Sequence, residues 1–133
     1  MTVRKRVVGL VVMGALLSGV PGAVDAQKTT EQFIPVGQSP GVSGNHSVIG
    51  KVQAVNARDQ TVTIAGPTGT VSAKVTERTK IWLDRSKIRQ ANVKGTLADL
   101  RPGVTVEVKL EDPQRGASGG PAEWIKAQIV AAP

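Results

Sequence analysis

The chain has no cysteine and no tyrosine, and among its 133 residues there is one phenylalanine, one histidine and two tryptophans. Without cysteine there is no disulfide and no thiolate, so a small domain built from it must be held by burial alone. With Phe33, Trp82 and Trp124 as its only aromatics, it must build its core from Val, Ile, Leu and Ala. Nucleophilic catalysis needs a nucleophile, a base and an orienting group. The one histidine, His46, follows Asn45 in a stretch of Gly, Ser and Pro and reads as a solvated loop residue. Zinc and copper want clustered His, Cys or Met, and both methionines, Met1 and Met13, lie in the N-terminal apolar segment. No metal and no cofactor is expected.

Acidic residues are also scarce, ten against seventeen Lys and Arg, for a formal charge of +7. Asp59, Asp84, Asp99, Glu107, Glu111, Asp112 and Glu123 are among the carboxylates available to a two-carboxylate hydrolase. Asp59 falls in a turn, Asp99 in a short helix, Glu107 on an outward strand phase, and Glu111 and Asp112 beside a linker, so each reads as solvated surface charge. Gly116, Gly119 and Gly120 precede no helix and make no phosphate cradle. The expectation is a protein that is not an enzyme.

What the chain does have begins with Arg4, Lys5 and Arg6, an apolar run from Val7 to Val20, and the small-residue tripeptide Val24-Asp25-Ala26. These are the three parts of a secretory signal peptide. The run is shorter than the roughly 20 residues a membrane-spanning helix needs, so cleavage after Ala26 and a periplasmic or secreted location are expected, with no transmembrane segment afterwards. Cleavage would leave 107 residues with a net charge of +5, one domain's worth of chain. Residues 27–46 are rich in Gly, Pro, Ser and Gln with no apolar period, and read as a disordered lead-in. Docking of Phe33, Ile34 and Val36 on the domain is the other option.

From residue 47 to the end, period-two alternation takes over. It predicts strands over 47–56, 61–64, 70–76, 80–84 and 104–110, with a further one over 122–130. Arg85 to Lys94 reads as a loop or a single helical turn, and Thr96 to Leu100 as a short helix capped by Thr96. Residues 111–121 read as a linker. The pattern predicts an all-β domain, a small five- to six-stranded barrel of the oligonucleotide/oligosaccharide-binding (OB) type with one short helix. A split sandwich fits the same alternation.

Gly50-Lys51-Val52-Gln53-Ala54-Val55, Thr61-Val62-Thr63-Ile64, Thr79-Lys80-Ile81, the run from Leu97 to Val108 and Ile125-Lys126-Ala127-Gln128-Ile129 carry a resemblance, in that order, across most of residues 48–130. The chain resembles an exported bacterial family catalogued as domain of unknown function 5666. The resemblance implies a small all-β barrel outside the cytoplasm with no agreed activity, and it says nothing of Trp82 or Trp124. Exported OB-type copper carriers are similar in size and architecture, but they rely on Met and His, which the mature chain lacks apart from His46.

Basic residues gather between positions 74 and 101: Lys74, Arg78, Lys80, Arg85, Lys87, Arg89, Lys94 and Arg101, against Glu77, Asp84 and Asp99. Trp82 lies among them, out of phase with Ile81 and Leu83, and Trp124 is out of phase with Ile125. Such indoles either cap a barrel rim or offer stacking faces to a flat anionic ligand. On the second reading Trp82, Arg78, Lys80, Arg85, Lys87, Arg89 and Trp124 form a binding face for an anionic envelope glycan, lipopolysaccharide or an acidic protein. Export argues against nucleic acid. The alternative is a structural or protein-interaction module of the envelope, with the barrel as scaffold and the arm 27–46 as its contact.

Overall fold

The computed structural model describes residues 30–112 and 118–131, so the expected signal peptide, 1–26, lies outside the described residues. Among the described residues, the strands all belong to the compact unit Gln32–Pro133. They are β1 (Val48–Asn56), β2 (Thr61–Gly66), β3 (Gly69–Lys74), β4 (Lys80–Asp84), β5 (Val93–Lys94), β6 (Thr105–Leu110) and β7 (Ser118–Gln128).

β1, β2 and β3 form a meander. Asn56 turns the chain after β1, its Oδ1 accepting from the N–H groups of Arg58 and Asp59 at 3.0 and 3.1 Å. The next hairpin is tight: Gly66 and Gly69 are registered partners across Pro67-Thr68. Gly69 takes φ +137°, a value closed to most side chains. β6 pairs antiparallel with both β1 and β7. The start of β7 then pairs parallel with β3, Ser72 with Ser118 and Lys74 with Pro121. This closes a five-stranded ring, β1-β2-β3-β7-β6. The protein is a small all-β, OB-like barrel.

β7 is long enough for a second task. Past the stretch that meets β3, the same edge pairs with β4 from Lys80↔Trp124 to Asp84↔Gln128. β5 extends the sheet beyond β4. Residues 118–121, read from sequence as linker, are therefore strand, because β3 offers them an unpaired edge. β5 is too short to show a period, and the expected short helix is a 3-10 turn, Leu97–Asp99. Thr96 stands at its N-cap, but there the Asp99 carboxylate is the acceptor: Thr96 N–H and hydroxyl both donate to Asp99 Oδ2, while Asp99 N–H donates to the Thr96 carbonyl.

The core follows from alternation. Val62 and Ile64, Val106, Val108 and Leu110, and Ala122, Ile125 and Ala127 point inward and are sealed from solvent. Each larger side chain contributes roughly 1.5–3 kcal/mol by burial. A bulge in β1 between Val52 and Ala54 shifts the phase, so that Val52 and Val55 both face in despite their odd spacing. Leu97 and Leu100 cover the core from the 3-10 turn.

Residues 32–46 differ most from expectation. Their composition predicts disorder, yet they form hydrogen-bonded turns, such as Val42 N–H to Ser39 O, within the same compact unit. Of the three residues considered for docking, Phe33 is exposed and Ile34 and Val36 are half-buried. The segment is held by polar groups of the sheet, which hydrophobic periodicity does not register.

Gly50 provides a test of the barrel's closeness. A Cβ there would overlap the Ala65 carbonyl on the neighbouring strand. Gly50→Ala is expected to lower unfolding stability by about 1–3 kcal/mol or more in a urea titration, the usual cost of overpacking.

Candidate functional site

Strand alternation leaves one set of side chains on the outside of β1, β6, β7 and β4. Register aligns them in rows: Ile49, Glu107, Lys126, Trp82 and Lys94 are successive cross-strand partners. Lys109, Trp124 and Lys80 form the next row. An outer face is normally solvated, but here Glu107 is 0% exposed, Lys126 and Asp84 1%, Trp124 2% and Trp82 5%.

Glu107 accepts three hydrogen bonds from the segment before β1: Gly37 N–H at 2.8 Å, and the hydroxyls of Ser43 and Ser47, each at 2.6 Å. Asp84 accepts from Val36 N–H at 2.9 Å and from the N–H and hydroxyl of Ser86. The Lys126 ammonium donates to Ser39 Oγ at 2.9 Å and stands 4.6 Å above the centre of the Trp124 ring. Gln32 and Asn92 exchange side chain-to-carbonyl bonds, tying the segment to the loop before β5. Asp84 and Glu107, read from sequence as solvated charges, are instead buried acceptors. Donors held by folding replace the water that each would otherwise require.

Trp82 and Trp124 do not project into solvent as stacking faces. Their centroids are 6.3 Å apart at an interplanar angle of 39°, within the range of favourable aromatic pairs. The structure brings the two indoles together, with Lys126 beside them, as buried members of the outer layer.

The basic residues proposed with them are spread out. Arg78 makes a two-pronged ion pair with Glu111, at 3.1 and 2.9 Å. The hydrogen bonds that the guanidinium donates to Glu111, and then the charge of that carboxylate, hold its pKa above the ordinary value. Arg85 donates its Nε to the Ala91 carbonyl and is half-buried in its own loop. Lys87 and Arg89 are exposed in and after the 3-10 turn Ser86–Ile88, and Arg89 takes a left-handed φ of 58°. Lys80 and Lys94 are exposed and flank Trp82. Together with Thr79, Ile81 and Gly95 these three residues line a cleft of about 190 Å³. A second cleft, of about 240 Å³, opens at one end of the barrel between His46, Asn45, Thr68 and Thr70, above Val71, Val108 and Leu110. Among the described residues, no three His, Cys, Asp or Glu side chains gather as a metal site. Nor is any helix among them long and apolar enough to cross a membrane.

Sequence reasoning missed the Asp84–Glu107–Lys126 set. Its signal was present: two tryptophans on the outward phase imply that something covers that phase.

The fold and this outer layer define a small OB-like barrel whose outer sheet face is strapped by its own N-terminal segment. No protein-family model matches the chain, and no curated protein matches it. Among solved structures, it is similar to a copper(II)-bound tryptophan-to-alanine variant of CusF from Escherichia coli. The two are 14% identical, the match covers 62% of this chain and 90% of that one, and the TM-score is 0.43.

The burial of Glu107 can be weighed against a surface pair. Glu107→Ala strands three donors and is expected to cost about 2–4 kcal/mol of unfolding free energy, since hydrogen bonds to charged groups contribute roughly 1.5–3 kcal/mol each. Glu123→Ala breaks only the half-exposed pair with Lys109 and should cost less than about 1 kcal/mol. Chemical denaturation of the two variants measures the contrast.

Proposed function

We propose that this chain is an exported, non-catalytic binding barrel that takes an anionic group at the cleft between Lys80 and Lys94. The supporting observation is that both lysines are exposed on the same sheet face, on either side of Trp82, around a cleft of about 190 Å³. Lys87 and Arg89 add exposed positive charge in the loop between β4 and β5. The anion is an acidic envelope glycan, a lipopolysaccharide phosphate or an acidic protein. Arg78 drops out of the original set because Glu111 already pairs it. Trp82 serves as a buried floor and reporter, and Trp124 packs beside it with ring centroids 6.3 Å apart.

The order of the sequence segments favours membership of the domain of unknown function 5666 group, and the signal-like N-terminus favours export. Absence of catalysis is proposed on the chemistry. His46 sits in an exposed turn, and Asp84 and Glu107 each already accept several hydrogen bonds. An arm-borne partner site is less favoured, because Val36, Gly37, Ser39, Ser43 and Ser47 are engaged by the barrel itself.

Tryptophan emission of the 27–133 protein is expected to start blue-shifted and to change on titration with lipopolysaccharide, cell-wall fragments or heparin. Charge-driven binding should weaken roughly tenfold or more between low salt and about 0.5 M salt as the Debye length shrinks. A Lys80→Ala/Lys94→Ala double variant should lose most of the response. Binding indifferent to both salt and these lysines would refute the proposal.

A further inference from the structure

Asp84, Glu107 and Lys126 are three buried charges on one sheet face, and none belongs to the barrel core. Each bonds to one stretch of chain, residues 36–47, through backbone N–H groups and serine hydroxyls. That stretch places no side chain in the core cluster. We propose that the outer face of β1, β6, β7 and β4 is a peptide-recognition cradle, and that residues 36–47 occupy it as the chain's own ligand. This goes beyond the anion-binding proposal and does not depend on it.

The contacts have the character of recognition between separate chains. Carboxylates accept from backbone N–H groups and hydroxyls, and an ammonium donates to a hydroxyl, each bond directional and charge-assisted. They also specify what the cradle takes. Position 37 takes φ +83°, which favours glycine. Its N–H reaches Glu107, and its Cα side faces Ile49. Position 39 is 3% exposed and needs a small residue whose oxygen accepts from Lys126. Positions 43 and 47 need hydroxyls that donate to Glu107. The recognised pattern is glycine, one residue, serine, three residues, serine, three residues, serine, met here by Gly37, Ser39, Ser43 and Ser47.

A segment held in cis has an effective concentration on the order of millimolar, so it excludes a free copy of itself until it is released. Gly37→Pro in the full chain releases it and leaves the cradle intact, because proline lacks the N–H and cannot reach a positive φ. A Ser43→Ala/Ser47→Ala double variant does the same more gently. Two readouts apply to both variants: amide hydrogen exchange, and the anisotropy of a labelled synthetic peptide of residues 32–47. Expected are amides of residues 39–46 exchanging at least about tenfold faster while Val62, Val106 and Ile125 stay protected, as for a locally opened unit. The peptide should bind the released variants at least about tenfold tighter than the parent protein, against the cis competitor. A peptide with Gly37 and the three serines replaced by alanine should not bind. Loss of barrel protection in both variants would overturn the proposal by making the strap part of the fold. So would a peptide that binds neither variant, or that binds variant and parent alike.

Discussion

Glu107 lies in the middle of β6, between strands on both sides, with its carboxylate sealed from water. A buried carboxylate costs several kcal/mol unless donors surround it. The backbone N–H groups of the sheet are committed to the ladder on either edge and do not supply those donors. They come instead from chain that is not strand, Gly37, Ser43 and Ser47. A turn-rich segment with free N–H groups and short hydroxyl side chains is the kind of chain that can deliver three donors to one point. The same reasoning applies to Asp84 at the end of β4 and, with donor and acceptor exchanged, to Lys126 on β7. The outer layer is thus organised by charge satisfaction, where the barrel interior is organised by apolar burial.

This division explains where the free charge lies. Lys126, at the centre of the face, is covered, and Lys109 is paired with Glu123. At the β4–β5 margin Lys80 and Lys94 are exposed and flank the rim of Trp82, and at the other side of the face Lys51 on β1 is exposed as well. β5, at the sheet's edge, is two residues long and carries one of those lysines. Brevity and a lysine are both common protections against pairing with another chain, so the residues that form the cleft also guard the edge.

Most of the barrel was legible in the sequence, and most of the outer layer was not. Lys80–Asp84 has the bounds that alternation implies, and β6 shows its inward Val106, Val108 and Leu110 as plainly as its outward Thr105, Glu107 and Lys109. Alternation assigns a phase, but it cannot say whether the outward phase meets water. Glu107 therefore read as a surface charge, and the segment that covers it, with no apolar period, read as disorder. The tryptophans were the informative misfit. Sequence left Trp82 and Trp124 either capping a rim or offering stacking faces, and alternation could not choose between the two; both indoles are in fact buried. The start of β7 was hidden for a related reason: residues 118–121 are strand only because β3 leaves an edge for them, a fact of closure and not of composition.

The arrangement of β7 bears on how the chain folds. Among the described strands, β3, β4 and β6 lean on it, and two of those pairings are parallel and distant in sequence. The meander β1-β2-β3 is local and can form early, but it stays an open ribbon until β7 arrives. Non-local pairing of this kind slows folding, because loop closure must precede the contacts that reward it. Cooperative assembly of the barrel is accordingly deferred until β7 is free to pair.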